Sequence, residues 1–453
     1  MWTLLLVPSI LIGVIAYYLY SFIFIAYDKH NFPTDGYFGP GAPKPDDETI
    51  YPFSINVSDA QIEDLKSRLR NSRVTHSDLE DTKAFEFGLS RKALDDFRNY
   101  WLNEYDWRVH EKKLNEFSHF KTQIEGIDLH FVHQEADKTK YKKVLTILLA
   151  HGWPGSVYEF SKIIPILVDP KANGIESDLA FNVVAPSTPN YGWSGPTHKT
   201  GMNTGAAARI FSKLMKRLNY SKYVVQGGDW GSYIVSNLGR LYPDNVIGVH
   251  LNMIRSLRRD VIFQQILCSI FPSLLKGEPL QNYTFMSTIK FYLLSGGYFH
   301  IQATEPDTLG VGLTDSPVGL LSWLMTIYYK GTDLRLMETP DYEEIFKKHG
   351  KDELFTAISI YWFNGNILNS VRTYKENVGN TELENLQRTY IPVPTAYAAL
   401  ELDAVPAVPK RVADIIGNIV QYSYVPDLGH FACLEGPKRM AKDIFKFAKL
   451  LTK

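Results

Sequence analysis

The chain has 453 residues, of which 45% are hydrophobic, and a formal net charge of −1. This length can bury a large core, either in one large domain with insertions or in two domains. The near-neutral charge gives no electrostatic reason to expect nucleic acid as a partner, and we expect none. The two cysteines, Cys268 and Cys433, are too few for a disulfide framework and are predicted to be buried, reduced thiols.

The chain opens with an uncharged stretch from Leu4 to Ala26. About 20 apolar residues are enough to cross a bilayer. A cleaved signal peptide is the alternative, but it would carry a basic residue near its start and a clear small-residue cleavage site, and this stretch has neither. We therefore predict an uncleaved, single-pass transmembrane anchor over residues 1–26, which makes membrane lipid a partner of the protein.

A linker rich in glycine and proline, from Gly36 to Asp47, comes next, and a helical region follows it. Ser58 and Gln61 have the spacing of a capping box, which predicts a helix that extends to about Arg70. The aromatic-rich stretch over residues 79–117 is also predicted to be helical.

From about residue 120, short apolar runs alternate with helical patterns, which predicts an α/β fold with a doubly wound, mostly parallel sheet. A long helical and aromatic stretch interrupts this alternation and is predicted to be a lid. The predicted strands are Phe120–Ile124, Leu129–His133, Val144–Leu149, Phe181–Ala185, Tyr223–Gln226, Val246–Leu251, Tyr390–Tyr397 and Ile419–Val425, with helices near 157–167, 203–218 and 231–241. The expected parts are the anchor (1–26), a linker and N-terminal helical region (27–118), the first part of the α/β core (119–255), the helical lid (256–385) and the second part of the core (386–453).

The most informative motif is Gly227-Gly228-Asp229-Trp230-Gly231, between a predicted strand and a predicted helix. Small residues two before and two after a central side chain are typical of a nucleophile elbow. An aspartate is ionised at neutral pH, and it can displace a leaving group at a saturated carbon to form an ester. Water and a histidine base must then hydrolyse that ester. Asp229 therefore indicates an epoxide or an alkyl halide as substrate; the alternative is a glycine-rich turn whose aspartate caps a helix.

A histidine and an acid follow Asp229 in the chain order that a catalytic triad on such a fold requires. His430 comes directly after the last predicted strand, and Gly429 leaves room for its loop, so His430 is the candidate base. Glu401 and Asp403 both follow the preceding strand, and either could accept a hydrogen bond from the imidazole and hold its tautomer. The residues alone do not choose between these two acids.

His151-Gly152-Trp153-Pro154-Gly155 follows the predicted strand Val144–Leu149. The loop at this place supplies one backbone N–H of an oxyanion hole, and the residue after the nucleophile supplies the other. The candidates are the backbone N–H groups of Trp153 and Trp230. Removing one such donor typically raises the barrier by about 3–4 kcal/mol.

Together these motifs resemble those of the microsomal epoxide hydrolases, including the insect juvenile hormone epoxide hydrolases, over nearly the whole chain. The likeness extends beyond the motifs described above into the linker, the first predicted strands and the lid. Its further segments are Gly39-Pro40-Gly41, Phe120-Lys121-Thr122, Ile124-Glu125-Gly126, Tyr158-Glu159-Phe160, Ile163-Ile164-Pro165, His300-Ile301-Gln302, Pro306-Asp307-Thr308, Asp315-Ser316-Pro317-Val318-Gly319-Leu320 and Gly429-His430-Phe431.

The resemblance implies an α/β-hydrolase fold, an apolar epoxide as substrate, a diol as product and no cofactor. It also implies the endoplasmic reticulum (microsomal) membrane, with the catalytic body on the cytosolic side. By the same resemblance the nucleophile is Asp229 and the base is His430. The acid is Glu401, because it stands five residues before Pro406 as in the family's pattern.

Two lid tyrosines of the family correspond to Tyr298 and Tyr374, and the resemblance implies that they bind the epoxide oxygen. A phenol can stabilise or protonate the alkoxide that ring opening creates, since the alkoxide is far more basic. The family usually has glycine where this chain has Asn190; asparagine tolerates a positive φ, so we expect the loop conformation to persist.

The insect-like loop Tyr191-Gly192-Trp193-Ser194 favours juvenile hormone, a long terpenoid epoxide ester, as substrate. A broad role on xenobiotic epoxides is the main alternative. A haloalkane dehalogenase would use the same combination of aspartate, histidine and acid but would need indole N–H donors for the halide, which Trp153 or Trp230 could supply; the lid tyrosines argue against it. A non-catalytic binding protein on this fold is a further alternative, although such proteins often lose a triad member and every position is filled here.

Overall fold

The structure is a computed structural model that describes residues 14, 17–24, 32–74, 77–82, 85–339 and 341–452. Most of the anchor predicted over residues 1–26 lies outside the described residues. In the part of the chain that is described, no helix is both long and apolar enough to span a bilayer.

One mixed sheet forms the centre of the fold. The strands are β1 (Tyr51–Phe53), β2 (His119–Ile124), β3 (Ile127–Gln134), β4 (Lys143–Ala150), β5 (Leu179–Pro186), β6 (Tyr223–Gly227), β7 (Val246–Leu251), β8 (Ile391–Leu400) and β9 (Gly417–Val425). Within the described ranges these nine strands are ordered β1-β2-β3-β5-β4-β6-β7-β8-β9. The first three pairs in this order are antiparallel and the remaining five are parallel. The prediction of a mostly parallel α/β sheet is confirmed.

Helices cover the sheet and build the lid between β7 and β8. They are α1 (Asp59–Arg70), α2 (Arg91–Asn103), α3 (Trp107–Leu114), α4 (Ile164–Val168), α5 (Thr204–Arg217), α6 (Asp229–Leu241), α7 (Arg259–Ile270), α8 (Phe285–Leu294), α9 (Gly297–Thr304), α10 (Pro306–Asp315), α11 (Pro317–Thr332), α12 (Glu344–His349), α13 (Lys351–Asn364), α14 (Ile367–Asn377), α15 (Thr381–Gln387), α16 (Lys410–Ile416), α17 (Ala432–Glu435) and α18 (Pro437–Leu451), with short 3-10 helices at Val157–Phe160, Pro272–Leu275 and Leu334–Glu338.

The central strands are apolar throughout because both faces of the sheet are covered. Neighbouring residues of β4 belong to separate clusters: Leu149 packs with the lid and N-terminal helices, and Leu148 packs with the helices on the other face. Val224 and Val225 of β6 divide in the same way. β1 was not predicted, since a run of three partly exposed residues carries no readable alternation.

The predicted linker packs as an ordered strap on the core. Arg209 of α5 forms a bidentate pair with Glu125, at 2.7 Å for each contact, and donates a further bond of 2.9 Å to the Pro33 carbonyl. Asp46 accepts hydrogen bonds of 2.7 Å from the backbone N–H groups of Glu125 and Gly126. These contacts attach the strap to the β2–β3 turn and to α5.

Candidate active site

Asp229 lies at a sharp turn where β6 ends and α6 begins. Its φ is 49°, in the left-handed region, which is uncommon for a residue with a side chain. A Cβ on Gly228 would lie 2.5 Å from the Asn252 side chain, and one on Gly231 would lie 1.9 Å from the Ala150 carbonyl. Only glycine fits at these positions without rearrangement, so the strand-to-helix elbow expected from the motif is present.

The loop after β4 closes over the Asp229 carboxylate. The Trp153 backbone N–H donates a 2.8 Å hydrogen bond to Asp229 Oδ1. A Cβ on Gly152 would lie 2.3 Å from the same oxygen, so glycine is required for this approach. The Trp230 backbone, one residue after Asp229, makes no such bond to the carboxylate, and its role in an oxyanion hole stays a prediction.

His151 fixes the shape of this loop. Its Nε2 accepts from the Thr188 N–H at 3.1 Å, so its Nδ1 carries the proton and donates to the Gly152 carbonyl at 3.0 Å. Burial lowers the pKa of the His151 imidazole to about 4, which keeps this residue neutral near pH 7. A neutral imidazole with both nitrogens bonded to backbone serves to hold the loop, and it leaves no free nitrogen for chemistry.

His430 lies between two carboxylates. Its Nδ1 is 2.9 Å from Asp403 Oδ1, and its Nε2 is 3.4 Å from Asp229 Oδ2. The Asp403 side chain is 3% exposed. Burial on its own would lower the pKa of the imidazole, but the charges of Asp403 and Asp229 outweigh burial and hold that pKa well above its ordinary value.

The acid predicted from the family spacing, Glu401, is not the residue beside His430. The chain bends at residues 401 and 402 just after β8, and Glu401 turns toward solvent. Its carboxylate accepts bonds from the Tyr424 hydroxyl at 2.9 Å and the Asp427 N–H at 3.0 Å. The Asp427 N–H, followed by the Tyr424 hydroxyl, lowers the pKa of the Glu401 carboxyl. Asp403, the other candidate that the sequence had left open, occupies the position beside His430 that was predicted for Glu401, and it becomes the candidate acid.

A buried acid that the sequence analysis missed holds the backbone on both sides of His430. The Glu435 carboxylate accepts from the N–H groups of Gly429 at 2.9 Å and Phe431 at 3.0 Å. Burial raises the pKa of this carboxyl to about 7, against the effect of these two bonds. The sequence shows only that Glu435 follows His430 closely. This spacing does not distinguish a glutamate that binds the backbone of the histidine loop from an exposed glutamate.

Tyr298 of α9 and Tyr374 of α14 line the same cavity as Asp229, with a volume of about 450 Å³. Their ring centroids are 6.0 Å apart, and both rings pack near Trp153. Burial raises the pKa of each phenol far above its ordinary value, and the Asp229 charge adds to this shift. Both phenols therefore stay protonated and can donate. The apolar part of the cavity lining includes Met253, Leu257, Ile262, Phe285, Ile289, Phe291, Phe299 and Val405.

A second, much smaller cavity also borders Asp229. Its lining includes Asp229, His430, Glu159 and Gly155, and its volume is about 10 Å³. Among the described residues, Asp229 is the one side chain that borders both cavities. No group of three or more histidine, cysteine or carboxylate side chains in the described ranges could hold a metal ion.

The residues brought together here match known protein families. Residues 50–160 match the epoxide hydrolase N-terminus family, and residues 146–267 match the α/β-hydrolase fold family. Epoxide hydrolase 1 of Sus scrofa is 38% identical, with 100% of this chain and 99% of that protein covered. This chain belongs to the epoxide hydrolase family.

Insect members of this family are similar to the chain as well. Juvenile hormone epoxide hydrolase 1 of Ctenocephalides felis is 36% identical over 93% of this chain and 90% of that protein. The crystal structure of juvenile hormone epoxide hydrolase from Bombyx mori superposes with a TM-score of 0.86, at 33% identity, over 93% of this chain and 99% of that chain. Membership of an epoxide-hydrolysing family therefore holds over the core, the lid and the N-terminal region alike.

The correction from Glu401 to Asp403 is open to a direct test. We expect Asp403→Asn to slow epoxide turnover by about 100-fold or more, because the imidazole loses the carboxylate that orients it and stabilises its charge. If the nucleophile is Asp229, intact-protein mass spectrometry of the acid-quenched variant should show the added mass of the substrate. Glu401→Gln is the matched control and should retain turnover near the wild-type rate. The reverse pattern would restore Glu401 as the acid.

Proposed function

We propose that this protein hydrolyses apolar epoxides to vicinal diols through an ester on Asp229, and that juvenile hormone is its substrate. The observation that carries the proposal is the position of the Asp229 carboxylate. It faces an apolar cavity with two phenols on one side and a histidine paired with an acid on the other. Family membership and this arrangement together support epoxide hydrolysis.

In the first step, an Asp229 oxygen attacks an epoxide carbon while Tyr298 and Tyr374 donate hydrogen bonds to the epoxide oxygen. The carbon–oxygen bond breaks, and the oxygen takes a proton as the ester forms. Two phenols are needed here because an alkoxide is a poor leaving group without a donor. Both phenols line the same cavity as Asp229, so an epoxide bound there is within reach of all three groups.

In the second step, water attacks the ester carbonyl and His430 accepts its proton. The resting imidazole is paired with two carboxylates, which favours its protonated form. Formation of the ester removes the charge of Asp229 and so lowers the pKa of His430. The proton that His430 then releases balances the one that the epoxide oxygen takes. The Trp153 N–H, which already contacts Asp229 Oδ1, would stabilise the oxyanion.

Haloalkane dehalogenation is less well supported because of the lid phenols. The Trp153 Nε1–H donates to the Ser370 hydroxyl at 3.3 Å, whereas the Trp230 Nε1–H has no hydrogen-bond partner within the described residues, and Trp230 lines the substrate cavity. One indole donor is therefore available for a halide, but the phenols of Tyr298 and Tyr374 line the same cavity. They suit an oxygen that becomes an alkoxide better than a halide that leaves as a stable anion.

The two lid tyrosines are tested by rapid-quench kinetics. We expect Tyr298→Phe and Tyr374→Phe each to slow ester formation by about tenfold or more, and to leave ester hydrolysis nearly unchanged, because the oxygen needs its donors during ring opening. The double variant should be almost inactive. Tyr328→Phe, which removes a buried lid phenol outside the 450 Å³ cavity, is the control. Wild-type ester formation in the double variant would remove both tyrosines from the mechanism.

The substrate is proposed from the size and lining of the cavity. A volume of about 450 Å³ with a mostly apolar wall suits a drug-sized apolar ligand. The loop Tyr191-Gly192-Trp193-Ser194, which favoured juvenile hormone in the sequence, does not line this cavity; the Tyr191 hydroxyl instead bonds Thr373 of the lid at 2.9 Å. Broad xenobiotic hydrolysis is the second candidate, because the similarity to Epoxide hydrolase 1 of Sus scrofa is as extensive as that to the insect enzymes.

Comparison of juvenile hormone with a compact aromatic epoxide separates the two candidates. We expect a higher kcat/KM for juvenile hormone, because burial of its chain contributes about 25 cal/mol per Å² of apolar surface. Terpenoid epoxides of decreasing chain length should show falling kcat/KM, since remote binding energy is lost. Diol is quantified by mass spectrometry. Equal or better kcat/KM for the aromatic epoxide would favour the xenobiotic role, and absence of diol from every epoxide would contradict the proposed function.

We also propose that the protein is bound to the endoplasmic reticulum membrane, with the cavity mouth toward the lipid. An apolar face of α7, α8 and the adjoining loops supports this proposal; it consists of Leu257, Ile270, Phe271, Met286, Leu293 and Leu294, which are 53% to 81% exposed. Leu257 also lines the cavity. The described part of the N-terminal apolar segment lies against α7, where the Arg259 guanidinium is 3.8 Å from the Phe22 ring centroid.

Membrane association is tested with flotation of liposomes. The full chain should float with the vesicles and resist carbonate extraction. Deleting residues 1–26 should weaken binding without abolishing it, and adding Leu293→Glu and Leu294→Glu should remove most of the remainder, because two charges would enter the apolar face. Phe87→Glu, at an exposed phenylalanine outside this face, is the matched control. If the full chain stays with the soluble fraction, the membrane proposal is wrong.

A further inference from the structure

The cavity of about 10 Å³ beside Asp229 differs in its lining from the substrate cavity, with which it shares Asp229. Asp229 and His430 both line it, whereas Tyr298 and Tyr374 do not. Its volume is close to the minimum that holds one water molecule. A water in a buried site also needs two to four polar partners. Asp229 and His430 supply two of them.

Glu159 supplies a third polar group. It lies on the 3-10 helix Val157–Phe160, four residues after Gly155, and its carboxyl group lines the small cavity. A Cβ on Gly155 would lie 2.7 Å from Glu159 Oε2, so the absence of a side chain at position 155 makes room for this carboxyl. Within the described residues the Glu159 side chain has no hydrogen-bond partner, which is unusual for a carboxyl removed from bulk solvent.

The surroundings of Glu159 are mainly apolar, apart from the catalytic pair. Burial raises the pKa of the Glu159 carboxyl to about 8; the His430 charge opposes this shift, and the charges of Asp229 and Glu435 add to it. Tyr328 and Cys433 are the other ionisable groups influenced by Glu159. The Glu159 side chain is partly buried and has no hydrogen-bond partner within the described residues, and it lines the same small cavity as Asp229 and His430. Removing a carboxyl from water is unfavourable unless it binds a polar group, so a bound water would offset this cost.

We propose that Glu159 is a further catalytic residue, which holds the hydrolytic water against His430 in this small cavity. The inference rests on the proposed function, because it assigns a role in the hydrolysis of the Asp229 ester. The water donates one hydrogen to the His430 Nε2 and the other to a Glu159 carboxyl oxygen. Its own oxygen is then directed at the Asp229 carbonyl carbon.

The step is balanced without another reactant. The water oxygen forms a bond to Asp229 Cγ, and one water proton moves to His430. The tetrahedral intermediate breaks the ester bond, and the departing diol oxygen takes the remaining proton of the added hydroxyl. Glu159 accepts a hydrogen bond throughout and ends unchanged. Asp229 returns to a carboxylate that contains one oxygen from water.

The experiment measures the two half-reactions separately by rapid quench under single-turnover conditions. Glu159→Gln keeps the shape of the side chain, and Glu159→Leu removes its hydrogen bonding. We expect ester formation within about twofold of wild type for both. Ester hydrolysis should slow about tenfold for Gln and about 100-fold for Leu, because a misplaced reactant costs up to about 100-fold. The ester should therefore accumulate, and intact mass should show it.

Gly155→Ala provides a second variant in which Glu159 is retained but displaced from the cavity. It should slow ester hydrolysis in the same direction, with ester formation preserved. Glu401→Gln is the control glutamate, and His430→Gln is the reference for complete block of hydrolysis. Thermal unfolding of every variant checks that the fold is intact.

The possible outcomes separate this inference from the proposed function. Ester hydrolysis at the wild-type rate in Glu159→Leu would overturn the role of Glu159 and leave the epoxide hydrolase mechanism in place. Equal slowing of both half-reactions would also overturn it, because a purely structural defect acts on both. Failure of the wild-type enzyme to form any ester would contradict the proposed function itself.

Discussion

The close approach of the β4 loop to the Asp229 carboxylate is the constraint on which the rest of the site depends. The Asp229 carboxylate at the head of α6 accepts from the Trp153 N–H at 2.8 Å, and a Cβ at position 152 would collide with that carboxylate. A Cβ on Gly231 would collide with the Ala150 carbonyl at the end of β4. The left-handed φ of Asp229 is tolerated because the flanking strands and helix fix the backbone there. The lid and the histidine loop then add donors and a base around a group that is already positioned.

The charges around His430 differ before and after the proposed ester forms on Asp229. An imidazole between two carboxylates keeps its proton, and a phenol near a carboxylate keeps its proton too. The resting site therefore holds a protonated His430 and two neutral phenols near Asp229, the proposed nucleophile. When Asp229 forms an ester it has no charge, and the protonated form of the His430 imidazole is stabilised less. His430 is thus suited to release a proton while the ester forms and to accept one from water afterwards.

The sequence predicted the features that depend on residues close together in the chain, and it was less informative for contacts between distant residues. The strands and the Asp229 elbow depend on local pattern, and eight strands and the glycine-restricted turn were identified from it. Asn190 has a φ of 77°, as expected from the replacement of glycine by asparagine. Tyr298 and Tyr374 required the family resemblance, since no local pattern distinguishes them from the other 25 tyrosines.

Sequence analysis alone did not choose the acid beside His430, and it gave no role to Glu159 or Glu435, because three-dimensional packing fixes the positions of these residues. Glu401 and Asp403 are two positions apart, and the bends after β8 decide which of them meets His430. The five-residue spacing from Glu401 to Pro406, taken from the family, does not show how the backbone bends after β8. Glu159 and Glu435 lie in short apolar segments, where one glutamate in sequence resembles any exposed charge. Their proximity to the site exists only after α17 and the 3-10 helix at Val157–Phe160 are packed.

The position of Asp229 between two cavities also has a stereochemical consequence. A nucleophile that approaches the epoxide from the elbow side, opposite the phenols, inverts the configuration of the carbon it attacks. In the proposed mechanism, the hydrolytic water attacks the acyl carbon of Asp229 and leaves that substrate carbon untouched. Only one inversion occurs in a full cycle. A cyclic epoxide processed at this site should therefore give a trans diol, and the face from which the substrate binds decides which enantiomer forms.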